Sequence, residues 1–262
     1  MSPMKILVTN DDGISAPGLR ALAESLCQVA TVLVVAPHKE RSAIGTAVTL
    51  RSRIRVRQVK PLIPGIETYA VEGTPSDCVM LGLTKLVEDK TDLVISGINQ
   101  GPNLGEDVLI SGTVGAALQG YLHGCSSIAI SVDAWDNPFF NTAAGLAALL
   151  AKRLIAGDLP ANIFLNVNVP NLPISLVKGL ESTHLAKVSH TNTFKEEGNS
   201  EEGYYRLIRQ RINKPAADKT DVWAIERDII SITPLRTSPV DDPSLIVPNG
   251  IYSDLLKELR QS

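Results

Sequence analysis

Short apolar runs alternate along the chain with segments in which apolar residues recur every three or four positions. Short runs that are apolar throughout and rich in β-branched side chains are typical of parallel strands covered on both faces. The pattern predicts strands at 5–9, 31–36, 92–96, 127–131 and 163–169. It therefore indicates a sheet buried between two layers of helices.

The segments between these strands have helical periodicity. Leu19, Leu22 and Leu26 share one face of the first predicted helix. Ser15 is its candidate N-cap, and Pro17 suits its first turn. Further helices are predicted at about 76–88, with Ser76 as the cap, at about 112–122 and at about 139–155. This alternation predicts an α/β fold with a Rossmann-like, doubly wound, mainly parallel sheet, in which ligands bind beyond the carboxyl ends of the strands.

Residues 45–57 break this rhythm, because arginines at every second position from 51 to 57 alternate with smaller or apolar residues. A period of two predicts a half-exposed strand or hairpin with a basic face. A charged edge strand is favoured over an anion site.

After about residue 180 the chain becomes polar, and we predict a core domain at 1–180 followed by an extension at 181–262. The extension is predicted to hold a hairpin-like arm within 188–218, a returning strand at 228–235 and a short terminal helix at 252–260. The arm's YYRLIRQRI stretch would be a lone strand with exposed apolar side chains, so we expect it to pair with another subunit.

Composition narrows the function classes. The 262 residues are 44% hydrophobic, with a formal net charge of −3 and a sequence pI of about 5.8. No general attraction to a nucleic acid polymer or an anionic membrane is expected, and no apolar run approaches the roughly 20 residues that span a bilayer. The N-terminus lacks signal-peptide features, and Cys27, Cys78 and Cys125 suit reduced thiols, so we predict a cytoplasmic protein.

Two adjacent carboxylates, Asp11 and Asp12, follow the first strand in the sequence NDDG. Like charges this close need a proton, hydrogen bonds or a cation, and a divalent cation with oxygen ligands is a common solution. Helix capping or an Asx-turn is the alternative, but it explains one aspartate better than two. Metal binding is therefore favoured.

The segment from Ser96 to Gly120 is rich in glycine and begins at the end of an apolar strand. Asn99 and Asn103 add amide oxygens, while Ser111 and Thr113 stand at a helix start, where N–H groups and the helix dipole favour phosphate. An ordinary glycine-rich connection with a capping residue is the alternative. Capping is the favoured role for Ser76 and Asp77. For Arg41 and Ser42, the sequence alone favours neither a structural nor a functional role.

Several motifs are absent. The chain has no P-loop, no G-x-G-x-x-G after the first strand, no G-x-S-x-G and no zinc-ligand spacing among its four histidines. These absences argue against four functions: nucleotide hydrolysis by a P-loop, dinucleotide binding, serine hydrolysis and zinc chemistry.

Four stretches together resemble the SurE family of 5'/3'-nucleotidases, the stationary-phase survival proteins: ILVTNDDGISAPGLRAL, VVAPHKERSAIGTAVTL, VEGTPSDCVMLGL and DLVISGINQGPNLGEDVLISGTVGAALQG. FLNVNVP and TDVWAIERDIISITPL resemble the family's C-terminal part. The resemblance implies a divalent-metal-dependent phosphomonoesterase acting on nucleoside 5'- and 3'-monophosphates, with short polyphosphate as a further substrate. It also implies a Rossmann-like core and a C-terminal oligomerisation arm that forms homodimers or homotetramers.

The resemblance also assigns roles to residues. One divalent metal ion per subunit, Mg²⁺ or Mn²⁺, would be held by Asp11, Asp12, Ser42 and Asn99. The phosphate pocket would be lined by Asn10, Asn103, Ser111, Gly112 and Thr113, and the catalytic residues would be Asp11, Asp12 and Asn99. The loop around Ser42 departs from the family's usual APDRNQSG, with His38 for an acidic residue and Ala43 for a glycine.

Two reaction mechanisms and two classes of protein, an enzyme and a binding module, stay open at this point. Water activated by the metal attacks phosphorus directly, or an aspartate first forms a phospho-enzyme. The alternative to an enzyme is a non-catalytic α/β module that binds a metal–phosphate ligand.

Overall fold

The protein, described here by a computed structural model over residues 4–87, 89–187, 190–197, 203–211 and 216–236, is built on a mostly parallel sheet. Its strands are β1 (Lys5–Thr9), β2 (Thr31–Pro37), β3 (Val56–Gln58), β4 (Glu67–Val71), β5 (Leu93–Gln100), β6 (Ser126–Asp133), β7 (Phe164–Pro170), β8 (Gly179–Ser182), β9 (His190–Glu197), β10 (Tyr204–Arg211) and β11 (Ile229–Pro234). Its α-helices are α1 (Pro17–Leu26), α2 (Pro75–Leu81), α3 (Gly112–Leu122), α4 (Phe140–Ala156) and α5 (Asp221–Ile225).

The main sheet has nine strands in the order β3-β4-β2-β1-β5-β6-β7-β11-β8. The six strands from β4 to β7 in this order are parallel, which confirms the predicted strands and the doubly wound class. The chain moves from β1 to β2 on one side and later returns to β5 on the other side of β1. A crevice for ligands therefore opens between the carboxyl ends of β1 and β5.

Helices cover both faces of the sheet. Ile6 and Val8 pack with residues of α1 and α4 on one face, whereas Leu7 packs with residues of α2 and α3 on the other. Successive side chains of a strand point to opposite faces, so a continuous apolar run buries both. The rigid layers fix the strand ends that carry the site.

Two predicted helix caps are wrong. Helix α1 has Ala16 at its N-cap with no side-chain hydrogen bond, so Ser15 does not cap it, although Pro17 does occupy the first turn. Helix α2 is capped by Thr74, whose hydroxyl accepts from the backbone N–H of Asp77 at 3.1 Å while the Asp77 carboxylate accepts from the N–H of Thr74 at 2.9 Å. This reciprocal pair begins the helix at Pro75 and leaves Ser76 inside its first turn. Capping by Asp77 is confirmed.

The strand or hairpin predicted across 45–57 is also wrong, because only Val56–Gln58 is a strand. The irregular part is tied to a loop and to a helix: the backbone N–H of Gly45 donates to the carbonyl of Ile110 at 2.8 Å, and that of Thr49 donates to Asp77 on α2 at 2.9 Å. These bonds satisfy backbone groups without a strand partner. Strand β3 does form an edge of the sheet, as the charged-edge interpretation expects.

The C-terminal part contributes to two sheets. Strand β11 confirms the predicted returning strand and lies antiparallel to β7, with β8 beside it. Strands β9 and β10 form a separate antiparallel hairpin, so residues 204–211 of the stretch expected to be a lone strand pair within their own chain. The predicted terminal helix at 252–260 lies outside the described residues. The division at residue 180 stays a prediction.

Candidate active site

A cavity of about 310 Å³ lies at the carboxyl ends of β1, β5 and β6. Ligand pockets commonly begin at about this size. Five residues predicted for the site line it: Asp11, Ser42, Asn99, Asn103 and Ser111. The topology therefore brings together side chains that are far apart in the chain.

Asp11 is buried at the end of β1, against the start of α3. Its Oδ1 accepts a hydrogen bond from the hydroxyl of Thr113. Burial raises the pKa of Asp11 to about 6, the Thr113 hydrogen bond opposes that rise, and the charge of Glu40 adds to it. The side chain is thus held in one orientation while its negative charge lacks full compensation.

Asp12 is half-buried beside it and lines an adjacent cavity together with Ser42. The backbone N–H of Gln100 donates to Oδ2 of Asp12 at 3.3 Å. Burial, then repulsion from Asp11, raises the pKa of Asp12 to about 7. The pair therefore favours a bound cation or a shared proton at neutral pH.

Ser42 reaches the cavity from the loop that follows β2. Its hydroxyl donates to Oε1 of Glu40 at 2.7 Å, and the backbone N–H of Arg41 donates to the carbonyl of Asp11 at 2.7 Å, which anchors the loop. Ala43 also lines the cavity and has a left-handed backbone with φ of 53°. His38 instead lies near the end of β4, where its ring nitrogen contacts the carbonyl of Val71 at 3.3 Å.

An irregularity in the pairing of β5 directs the side chain of Asn99 into the cavity. Pairing with β6 runs to Ser96 opposite Ala129 and resumes at Asn99 opposite Ser131, so β5 holds one extra residue between these points. Such a bulge redirects the side chains that follow it. The amide nitrogen of Asn99 donates to the carbonyl of Gly101 at 2.7 Å, which leaves its amide oxygen for a ligand.

Asn103 is fixed by a buried amide network. Its side-chain nitrogen donates to the hydroxyl of Ser131 at 2.8 Å, and its backbone N–H donates to the side-chain oxygen of Asn168 at 2.8 Å. Asn166 and Asn168 both donate to its carbonyl, at 2.8 and 2.9 Å. Sequence reasoning missed these two asparagines on β7, although polar residues at every second position of the apolar run FLNVNVP are a usable signal.

Behind the cavity wall lie three further predicted residues, Asn10, Gly112 and Thr113. Asn10 bonds both backbone groups of Gly13, accepting at 3.2 Å and donating at 3.0 Å, and so closes the loop after β1. Gly112 lies so close to Asp11 that a Cβ at this position would be 2.8 Å from the Cβ of Asp11. Ser111 caps α3, since its hydroxyl accepts from the N–H of Val114 at 3.1 Å. Contacts of Asn10, Gly112 and Thr113 with phosphate stay predictions.

One wall of the cavity was not anticipated, because it comes from the β9–β10 hairpin. Asp107 is buried and receives two partners from the hairpin: Nδ1 of His190 lies 2.8 Å from its Oδ2, and Arg209 pairs with its Oδ1. Arg211 lies 3.6 Å from Oδ1 of Asp133 at the end of β6. All of these residues line the cavity, so the hairpin lies over the site in the same chain.

Comparisons with known proteins identify the family. A family model described as Survival protein SurE matches residues 6–192. The chain belongs to the SurE family. It is 48% identical to the 5'-nucleotidase SurE of Dehalococcoides mccartyi strain CBDB1 over 259 residues, 98% of each chain. It is 40% identical to that of Vibrio parahaemolyticus serotype O3:K6 over 245 residues, 93% of this chain and 92% of the other.

A solved SurE structure has the same architecture. The crystal structure of the SurE protein from Aquifex aeolicus superposes with a TM-score of 0.80 at 34% sequence identity, covering 92% of this chain and 96% of that chain. This agreement confirms the α/β class of the SurE chain.

The donor set of this SurE chain fits a hard divalent cation. Two carboxylates, a serine hydroxyl and an amide oxygen are ligands that Mg²⁺ and Mn²⁺ accept. Among the described residues, no group of three or more His, Cys, Asp or Glu side chains is arranged to hold a metal ion. A cation here would therefore depend on neutral oxygens to complete the pair of aspartates.

Proposed function

We propose that this member of the SurE family hydrolyses nucleoside 5'-monophosphates, and 3'-monophosphates, to nucleoside and phosphate with a divalent metal ion. The observation that carries the proposal is the Asp11–Asp12 pair, whose raised pKa values favour a cation at the ligand crevice of the fold. The curated SurE relatives are named 5'-nucleotidases, which supports the same activity here.

Asp11, Asp12, Ser42 and Asn99 would hold Mg²⁺ or Mn²⁺, one ion per subunit. When bound, such an ion polarises a phosphoryl oxygen and lowers the pKa of water. Thr113 fixes the orientation of Asp11, and the Gln100 N–H fixes that of Asp12. The chain's own contribution is therefore to place the two carboxylates, whose ionised form a bound cation would favour.

The start of α3 supplies the other half of the chemistry. Ser111 brings the first turn of this helix to the cavity, where N–H groups and the helix dipole favour phosphoryl oxygens. Donors fixed before the reaction stabilise the charge that develops in phosphoryl transfer. Direct attack of water on phosphorus is the proposed route, and retention of configuration at phosphorus would instead establish a phospho-aspartyl intermediate.

A substrate panel tests the proposal. Phosphate release is measured from 5'- and 3'-mononucleotides, short polyphosphate and p-nitrophenyl phosphate with Mg²⁺ or Mn²⁺, and again with EDTA. We expect turnover that EDTA abolishes, and that Asp11→Asn abolishes while the fold persists. Asp158→Asn is the matched control, since Asp158 forms an exposed pair with Arg153. Nucleotide binding without turnover under any metal would establish the binding module instead.

We also propose that the hairpin joins subunits into a homodimer or homotetramer. Leu207 and Phe194 are directly opposite each other on β10 and β9, and both are exposed. Paired apolar side chains on an exposed hairpin favour a partner surface. Light scattering at micromolar concentration should give the mass of a dimer or a tetramer of the 28.1 kDa chain. The double variant F194S/L207S should lower that mass and Leu149→Ser on α4 should not; a monomeric wild-type chain contradicts the proposal.

Within the described residues, no helix is both long and apolar enough to cross a bilayer. The proposed substrates are small phosphorylated molecules, with no nucleic acid polymer among them. The cytoplasmic location stays a prediction.

A further inference from the structure

Trp135 is an exposed aromatic residue at the mouth of the candidate active site. It follows the end of β6, its side chain and backbone together are 68% exposed, and it lines both the main cavity and the adjacent one beside Asp12. A large aromatic side chain left in water forgoes the free energy of burying its apolar surface. Its position at the cavity calls for a ligand-based explanation.

The indole ring is held in place by the loop that follows β5. An added Cβ on Gly101 would lie 2.7 Å from the Cζ3 and Cη2 atoms of the ring, so the ring rests on this glycine. Gly101 also has a positive φ of 107°, a conformation that other residues rarely adopt. The side-chain amide of Gln100 donates to the carbonyl of Trp135. The ring thus packs against the loop that follows β5.

The cavity lining combines two kinds of surface. Asp11, Ser42 and Ser111 provide carboxylate and hydroxyl groups, where the metal ion and phosphate are proposed to bind. Trp135 provides an aromatic surface, with Pro102 and the part-exposed Ile110 as further apolar lining. A phosphate ester without a ring system has no aromatic face that could stack on Trp135. A nucleotide combines an anionic group with a flat aromatic base.

We infer that Trp135 is the stacking platform for the nucleobase and determines the preference for nucleotides over smaller phosphate esters. This inference rests on the proposed function, since it assigns the base end of the same substrate. Every base has a π-face, so stacking selects for a base without selecting which base. Alanine substitution of such a platform costs about 1–3 kcal/mol per base, which corresponds to a loss of about 5- to 150-fold.

Steady-state kinetics test the inference with a matched pair of substrates. AMP and ribose 5-phosphate share the phosphate and sugar and differ by the base. Trp135→Ala should lower kcat/KM for AMP by about 5- to 150-fold and leave kcat/KM for ribose 5-phosphate unchanged, while Trp135→Phe should retain most activity on AMP. An equal loss on both substrates, or no loss on AMP, would overturn the inference.

Intrinsic fluorescence gives a second test that does not need turnover. The chain has two tryptophans, and Trp223 lies on α5 with the Arg227 guanidinium 4.9 Å from its ring centroid. Adenosine should change the emission of a Trp223→Phe variant, which reports Trp135, and should leave a Trp135→Phe variant unchanged. Ribose is the control that lacks the base. Unchanged emission of Trp135 at millimolar adenosine would overturn the inference.

The two tests separate this inference from the proposed function. If the wild-type chain releases no phosphate from any substrate, the proposed function fails, and the adenosine titration still decides the role of Trp135. A contact between subunits is the competing explanation for an exposed tryptophan. Light scattering of Trp135→Ala tests that explanation. An unchanged mass supports the stacking role, and a lowered mass overturns it.

Discussion

The hydroxyl of Thr113 donates a hydrogen bond to Oδ1 of Asp11, although the two residues are 102 positions apart in the chain. The bond joins the first turn of α3 to the end of β1. Because the hydroxyl bonds to the ionised form, it opposes the effect of burial on the pKa of Asp11. A residue predicted to contact phosphate therefore also sets the charge of a predicted metal ligand.

Thr113→Val should raise the pKa of Asp11 above its value of about 6. A hydrogen bond to a charged group contributes about 1.5–3 kcal/mol, so the rise should be about one to two pH units. The acid limb of the pH profile of kcat/KM should move to higher pH, and Mn²⁺ affinity at pH 7 should fall. Calorimetric titration with Mn²⁺ measures the affinity. Thr113→Ser keeps the hydroxyl, so similar profiles for the two variants would contradict the assignment.

Asp12→Asn should stabilise the metal-free protein at pH 8 and leave it unchanged at pH 4. The folded-state pKa of Asp12 is about 7, above its ordinary value of 3.8, so ionisation costs stability progressively as pH rises from about 4 to 7. Below that window the wild-type carboxyl is neutral, as asparagine is. We expect a gain of several kcal/mol at pH 8, since each unit of pKa shift corresponds to about 1.4 kcal/mol.

Urea unfolding in EDTA at the two pH values measures this gain. Asp158→Asn serves as the control, because its exposed pair with Arg153 contributes little at either pH. Equal effects of Asp12→Asn at pH 4 and pH 8 would show that the carboxylate is not strained by its surroundings.

Gly112→Ala should displace Asp11 and reduce activity. The new Cβ would lie 2.8 Å from the Cβ and 2.9 Å from Oδ2 of Asp11, distances that require the aspartate to move. Misplacement of a catalytic group by about 1 Å can lower the rate about 100-fold. Gly145→Ala on α4 is the control, because nothing lies within 4 Å of its added Cβ. That change should keep full activity and stabilise the helix by about 0.5–1 kcal/mol.

Arg209→Ala should loosen the hairpin from the core. Asp107 is buried and would lose its guanidinium partner while keeping the contact with His190, whereas Arg206 on the same strand pairs with the exposed Glu197. We expect Arg209→Ala to cost about 1–3 kcal/mol in the free energy of docking the hairpin, and Arg206→Ala to cost less than about 1 kcal/mol. Hydrogen exchange of the β9 and β10 amides distinguishes the two. Equal protection in both variants would contradict the role of Arg209.

The sequence predicts which strand ends meet at the candidate site. Asp11 and Asn99 follow buried apolar runs, and parallel strands bring their carboxyl ends to one edge of a sheet, so topology alone places these residues together. Ser111 was recognised as the start of α3 because its hydroxyl, next to apolar periodicity, is a local signal. The Thr74 cap was also readable, since Thr74 and Asp77 have capping-box spacing, and Ser76 was the wrong choice.

The hairpin wall was beyond sequence reasoning. The contact between Asp107 and Arg209 joins a buried turn to a polar segment of weak periodicity, and no local pattern records that pairing. Trp135 lies in the short connection between β6 and α4, a segment that periodicity does not interpret. The missing information is tertiary, because charges on a distant hairpin find partners only after the core has folded.

The β9–β10 hairpin is a two-stranded sheet of its own, and the family match at 6–192 ends before Arg209 and Arg211. Substitutions along the hairpin therefore alter one wall of the cavity without disturbing the strands that carry Asp11 and Asn99. The cavity thus combines strand ends of the main sheet with a lining from a separate two-stranded sheet. Grafting a relative's hairpin onto this core would then change one wall of the cavity and leave the strand ends beneath it in place.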